Sequence, residues 1–308
     1  MAHIYVYSPS GAVRNQAGFR RALKRLQGLG HEVEVDPSAR LSHQRFAGDD
    51  ATRVAAVTRA AASGAKVVMT TRGGYGLTRI LPSLPYEAIQ QSVEQGSHWV
   101  GLSDFTALQC AAYALRGTPT WAGPALLEDW AGEDAPDEIM QACFDDLVTG
   151  VGEGTGWRLP PSDFRAHPQL GSAEGWAAEG AVLWGGNLTV LCSLMGSPFF
   201  PVVDGGILFL EDVGEHPYRI ERMLTQLLHA GVLGAQKAVV LGHFSRYQLT
   251  PHDKGFNLKQ VVAWLRSQLN IPVLTGLPFG HEPTKVVLPV GQPVDLYVQG
   301  REALMFWE

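Results

Sequence analysis

Between residues 3 and 122, short apolar runs alternate with segments of helical spacing, and this alternation restricts the fold more than any other feature of the chain. "HIYVYSPS" reads as a buried strand ending in a turn, and "AGFRRALKRLQGLG" as an amphipathic helix with a glycine stop. "HEVEVD", "AKVVMTT" and "HWVGLS" read as further strands. "DDATRVAAVTRAAASG" and "DFTALQCAAYALRG" read as helices between them. Strands alternating with helices imply a parallel sheet covered on both faces. Ligands in such sheets bind at the carboxyl ends of the strands. Arg72, Gly73, Gly74 and Ser103 all fall at such ends, although they lie far apart in sequence.

The second half reads differently. Residues 151–178 are rich in Gly, Pro and polar residues and keep little helical period, which predicts a connection with loose strands. Beyond them, "GAVLWGGNLTVLCSLMGSPFFP" reads as strand, glycine turn and helix, and "GGILFLEDVGEHPYRIERMLTQLLHAGVL" as strand, loop and amphipathic helix. "AVVLGHFS", "IPVLTGLPFG", "KVVLPVG", "PVDLYVQG" and "ALMFWE" read as short strands. The expected organisation is an N-terminal α/β domain over 1–150, a linker over 151–178 and a mixed β/α domain over 179–308. A chain of 308 residues has room for two cores.

Composition removes several function classes. The net charge is -6 and no basic run reaches five residues, so no nucleic-acid partner is expected. No apolar run reaches the roughly 18 residues of a membrane helix, so no membrane partner is expected. "MAHIYVYSPSGAVR" shows no basic segment followed by a long apolar one, which predicts a cytoplasmic protein without a signal peptide. Cys110, Cys143 and Cys192 are too scattered for a disulfide framework or a CxxC metal site. Cys110 and Cys192 stand in apolar surroundings and read as core residues.

Three side chains suggest chemistry. Ser103 lies in "GLSDFT", where a strand gives way to a helix, and two readings stay open. It caps the helix, as Ser and Asp often do, or it is a nucleophile exposed on a sharp turn. Gly101 supplies the first glycine of a GxSxG elbow, whereas Phe105 fills the place of the second. Glu211 ends the apolar strand "ILFLEDVGE"; a carboxylate there either reaches water or pairs with a base. Asp212 and Glu215 read as solvated. His281 follows a strand and a glycine in "GLPFGHEP", and His243 in "VVLGHFS" is its rival. Together Ser103, Glu211 and His281 supply a nucleophile, a carboxylate and a base in the chain order of α/β-hydrolase triads. Serine needs a base, the base needs a carboxylate to fix its tautomer, and the oxyanion needs N–H donors. The glycines of "RGGYG" allow such close backbone approach. Neither "RGGYG" nor "WGGN" fits GxGxxG or GxxxxGK[ST], and there is no HExxH. The mechanism requires no metal or organic cofactor.

Seven blocks in order, "SPSGAV", "TRGGYGLTRILP", "GLSDFTAL", "GPAL", "WGGNLTVLCSLMGSPFFP", "LFLEDVGEHPYRIERMLTQL" and "GHEPTKVVLPVG", are similar to the LD-carboxypeptidase family of serine peptidases, the muramoyltetrapeptide carboxypeptidases. The resemblance implies a flavodoxin-like or Rossmann-like N-terminal domain and a C-terminal swivelling domain of mixed strands and short helices. It implies Ser103 as nucleophile, Glu211 as acid and His281 as base, with the site at the domain interface. It implies hydrolysis of the bond between an L-diamino acid and a terminal D-alanine in a murein tetrapeptide or muropeptide, and a homodimer. On this reading the N–H groups of Asp104 and of Gly73 or Gly74 are oxyanion donors, and Arg72 holds the substrate carboxylate. Leu102 departs from the family, where an aromatic residue is common before the serine. Glu282 and Lys285 bring charge next to the base in sequence. Two alternatives remain: a microcin-C-type immunity peptidase acting on an acyl-adenylate-like conjugate, and a silent module that binds cell-wall peptides.

Overall fold

The computed structural model describes residues 1–172 and 175–307. Among them the strands are β1 (His3–Tyr7), β2 (Glu32–Val35), β3 (Val67–Thr70), β4 (His98–Gly101), β5 (Thr120–Ala122), β6 (Gly154–Arg158), β7 (Trp176–Asn187), β8 (Ile207–Val213), β9 (Ala238–Ser245), β10 (Val273–Thr275), β11 (Leu288–Val290), β12 (Pro293–Gln299) and β13 (Glu302–Phe306). The chain divides into two compact units. The first comprises Met1–Gly152, Leu194–Pro201 and Pro283–Gly291; the second comprises Glu153–Ser193, Val202–Glu282 and Gln292–Glu308.

The first unit is built on one sheet in the order β11-β5-β4-β3-β1-β2. Its strands β1 to β5 are parallel, and only β11 runs against its neighbour. The order 2-1-3-4-5 is flavodoxin-like, with its switch point between β1 and β3. Burial explains the sequence pattern. β3 is buried along its whole length and reads as a continuous apolar run, whereas β2 lies at the edge and alternates Glu with Val. Trp130, Met140 and Phe144 pack with Val6, Val67, Met69 and Val100 into one core. Each such side chain contributes about 1.5–3 kcal/mol by leaving water.

The second unit carries a mixed sheet in the order β10-β9-β8-β7-β12-β13-β6. The long strand β7 joins its halves: Asn187 and its neighbours pair with β8 in parallel, while the residues from Trp176 pair with β12 in the antiparallel sense. The stretch expected to be a connection is largely built into this unit. Strand β6 pairs with β13, and the fully buried Asp163 accepts the Thr275 N–H at 2.8 Å and an ion pair from Arg266 at 2.7 Å. Positions 173 and 174 of that stretch lie outside the described residues. Among the described residues no helix is long and apolar enough to cross a membrane.

The segment 283–291 belongs with the first unit although it follows the second in sequence. Lys285 anchors it there. Its ammonium, on a side chain 2% exposed, bonds to the carboxylate of Asp129, and the adjacent Thr284 hydroxyl donates to Asp137 at 2.6 Å. The positive charge next to His281 in sequence is thus consumed inside the first unit. Removing one member of a buried pair leaves an uncompensated charge, which costs about 3–5 kcal/mol. Lys285→Met is therefore expected to lower the urea midpoint strongly, and Asp129→Leu/Lys285→Met to recover most of the loss. Equal midpoints for Lys285→Met and the parent chain would contradict this anchoring.

Candidate active site

In the first unit three strand-end loops meet: Ser8 to Gly11 after β1, Thr71 to Gly76 after β3, and Leu102 to Phe105 after β4. The Ser8 and Thr71 hydroxyls share a hydrogen bond of 2.6 Å, and Gly11 N–H donates to Gly73 O at 3.3 Å. Ser103 stands at φ +65°, a left-handed conformation that a serine seldom adopts. A residue held there by its surroundings is strained by about 1–3 kcal/mol, and such strain collects at functional sites. The helix-cap alternative does not describe this serine. Leu102 occupies the cap of the short helical turn Ser103–Phe105, and no side chain caps it. The longer helix Thr106–Arg116 then begins without a side-chain cap either.

The neighbours show why the serine tolerates the strain. A methyl group on Gly73 would lie 2.7 Å from Ser103 Cβ and 2.9 Å from its Oγ, so only glycine fits beside it. The same position lies 3.2 Å from Asp104 N, so the Gly73 backbone packs against both the serine side chain and the following amide nitrogen. Gly74 adds a second left-handed residue at φ +109°. A methyl on Gly101 would strike the Phe105 ring at 2.7 Å. Phe105 itself is buried core, so a bulky residue replaces the second elbow glycine by turning inward.

Asp104 turns its side chain into the protein, while its backbone nitrogen lies close to Gly73. The carboxylate accepts from Ser10 Oγ at 2.7 Å and from Leu77 N at 2.9 Å. Burial raises its pKa above the ordinary carboxylate value, with those donors opposing the shift. Arg72 is half-buried beside Gly11 and Gly74, and among the described residues of its own unit no carboxylate is paired with it.

The second unit brings Glu211 and His281 together. Glu211, at the end of β8, is fully buried, and His281 Nδ1 donates to its Oε2 at 2.8 Å. Gly280, at φ +145°, permits the approach: a methyl there would lie 3.4 Å from Glu211 Oε2 and 3.1 Å from His243 Cβ. The His243 N–H donates to Phe279 O at 2.8 Å, and Arg246 donates to His281 O at 2.8 Å, so the end of β9 holds the histidine loop. His243, the rival base, is itself exposed, and its backbone serves this support.

Asp212 corrects the solvated reading. Strand β8 is buried on both faces from Ile207 to Asp212, which leaves Asp212 enclosed beside Glu211. It accepts from Thr189 N at 2.9 Å, Thr189 Oγ1 at 2.7 Å and Val213 N at 2.8 Å. Burial nevertheless raises its pKa. Glu215 is only partly exposed and pairs with Arg219 at 3.1 Å. Cys110 is buried as expected, whereas Cys143 and Cys192 are only partly so.

Asn187 was missed by the sequence reading. Its Nδ2 donates to Glu211 Oε1 and to Asp212 Oδ1, both at 3.1 Å, bridging the two acids. The signal was present in "WGGN", because an amide that ends a strand beside another strand ending in two acids can cross-link them. Ser10, in the "SPSGAV" block, is a partner of Asp104.

Comparison with known proteins gives this arrangement a family. Residues 4–123 match the LD-carboxypeptidase N-terminal domain and residues 180–296 the LD-carboxypeptidase C-terminal domain. The crystal structure of muramoyltetrapeptide carboxypeptidase from Oxalobacter formigenes superposes with a TM-score of 0.84 at 37% identity, over 98% of this chain and 97% of that one. A probable murein peptide carboxypeptidase of Bacillus subtilis is 30% identical, over 88% of this chain and 81% of its own. The microcin C7 self-immunity protein MccF of Escherichia coli is 28% identical, over 73% of this chain and 69% of its own. With both domains matched in order, the chain belongs to the LD-carboxypeptidase family of peptidases.

Proposed function

We propose that the chain is a serine carboxypeptidase that releases the terminal D-alanine of murein tetrapeptides, with Ser103, His281 and Glu211 acting together. The observation that carries this reading is the 2.8 Å bond from His281 Nδ1 to the enclosed Glu211. A carboxylate only accepts, so Nδ1 bears the proton and Nε2 remains as the basic nitrogen. Nε2 takes the proton from Ser103 Oγ as Oγ attacks the carbonyl of the L-diamino acid. The Asp104 and Gly73 N–H groups receive the developing oxyanion, with Gly74 as the alternative glycine donor. Protonated His281 returns the proton to the amine of D-alanine, which leaves. Water, activated by the same nitrogen, then frees the acyl group from Ser103. Glu211 stabilises the imidazolium that forms in each half-reaction, and Asn187 orients Glu211.

A carboxypeptidase recognises a free carboxylate, and Arg72 is the group assigned to it, because a guanidinium meets a carboxylate bidentately. The same reading includes a role in peptidoglycan recycling, a cytoplasmic location and a homodimer. These rest on the family resemblance. A microcin-C-type activity remains an outcome of assay rather than a second reading. It would appear as cleavage of aspartyl sulfamoyl adenosine in preference to tetrapeptide.

Ser103→Ala is expected to abolish D-alanine release, with kcat falling on the order of 10^4-fold or more while the melting point is kept. Glu211→Gln keeps the shape but removes the charge, and a fall of about 10^3 to 10^4-fold is expected. Wild-type rates in either variant would remove the corresponding role. Arg72→Met is expected to raise KM for tetrapeptide about 10- to 100-fold, since a hydrogen bond to a charged group is worth about 1.5–3 kcal/mol. An unchanged KM would take the carboxylate away from Arg72.

A further inference from the structure

Arg53 is fully enclosed, with no exposure to solvent. It lies on the helix Asp50–Ala62, on the same face as Ala56, Val57 and Ala60. A guanidinium does not lose its charge, so burial at such a position is unfavourable unless its donors are matched. Here its Nη1 donates to two carbonyls, Pro9 O at 2.9 Å and Gly76 O at 2.7 Å. Its Nη2 meets Asp50 Oδ1 at 2.5 Å, and its plane lies over the Phe46 ring at 4.8 Å. Asp50 also binds the exposed Arg79 at 2.8 Å.

The two carbonyls are not arbitrary. Pro9 precedes Ser10, whose hydroxyl binds Asp104, and Gly76 precedes Leu77, whose N–H binds the same carboxylate oxygen. The Gly76–Leu77 peptide is therefore gripped from both sides, its C=O by Arg53 and its N–H by Asp104. Such a peptide cannot rotate without losing two charge-assisted hydrogen bonds. Gly76 has φ +152°, and a methyl there would lie 2.7 Å from Arg53 Nη1, so this glycine is what admits the guanidinium. Between this fixed peptide and β3 lies Gly73, the residue packed on Ser103.

We propose that Arg53 is a positioning residue for catalysis. It acts through the loops after β1 and β3 and sets the Gly73 backbone against Ser103, remote from substrate itself. Its guanidinium and the Asp104 carboxylate are opposite jaws of one clamp on the oxyanion loop. A lysine ammonium is a point charge that does not reproduce the fork. The inference rests on Ser103 being the nucleophile.

The test compares Arg53→Lys, Arg53→Met and Gly76→Ala with Ser103→Ala, measuring kcat and KM for D-alanine release together with thermal melting. Both Arg53 variants are expected to lose about 10- to 100-fold in kcat per folded enzyme with KM within about threefold, since a small misplacement of positioning groups costs on that order. Arg53→Lys is expected to be no better than Arg53→Met, because geometry and not charge is at stake. Gly76→Ala approaches the clamp from the loop side and is expected to show the same split, which keeps the question decidable if an Arg53 variant fails to fold. Full kcat in the folded variants, with only a lowered melting point, would overturn the positioning role. Should Ser103→Ala stay active, the nucleophile assignment fails instead, and the two failures are thereby distinguished.

Discussion

A carboxylate enclosed at the end of a parallel sheet must be given donors, and in the first unit Asp104 receives them from two neighbouring loops. Ser10 reaches it from the loop after β1 and Leu77 from the loop after β3. One side chain thereby ties three strand ends together at the place where the sheet topology opens a crevice. Ser103 precedes it directly in sequence. The inward pull on Asp104 and the close contact with Gly73 together hold the serine at positive φ. Without that carboxylate the loops have no common anchor, and the left-handed serine has no reason to persist.

The second unit solves the same problem with a different set of groups. Glu211 and Asp212 are consecutive acids, both withdrawn from water, and each would be unfavourable alone. Asn187 donates to both, Thr189 to one and His281 to the other. The strand register sets Asn187 opposite Glu211, so the amide arrives at its partner by pairing alone. In both units the carboxylates that anchor the site loops, Asp104 and Glu211, are enclosed.

Much of this was legible in the chain and some was not, for physical reasons. Alternation of apolar strands with amphipathic helices exposed the parallel sheet, because period and burial are properties of local sequence. Ser103 was ambiguous, since a cap and an elbow both want a small polar residue after a strand; only φ and the Gly73 contact separate them. Asp212 was misread because β8 is a central strand enclosed on both faces, and the donors that satisfy its last acids come from Asn187 and Thr189, far off in sequence. Arg53 lies in a helix opened by two aspartates, where its spacing to Ala56, Val57 and Ala60 puts it on the buried stripe. Lys285 looked like a neighbour of the His281 loop, but its partner Asp129 lies 156 residues away and is reached only through the fold. Long-range pairing of this kind is what a linear reading cannot supply.

The central chemical claim is that Ser103 Oγ becomes acylated during turnover. Rapid acid quench of the enzyme with murein tetrapeptide, followed by mass spectrometry of the peptide containing Ser103, tests it directly. A mass gain equal to the substrate less D-alanine, formed within one turnover and decaying as product appears, is the predicted result. Turnover at full rate with no adduct on that peptide, or with the adduct on a different residue, would contradict it.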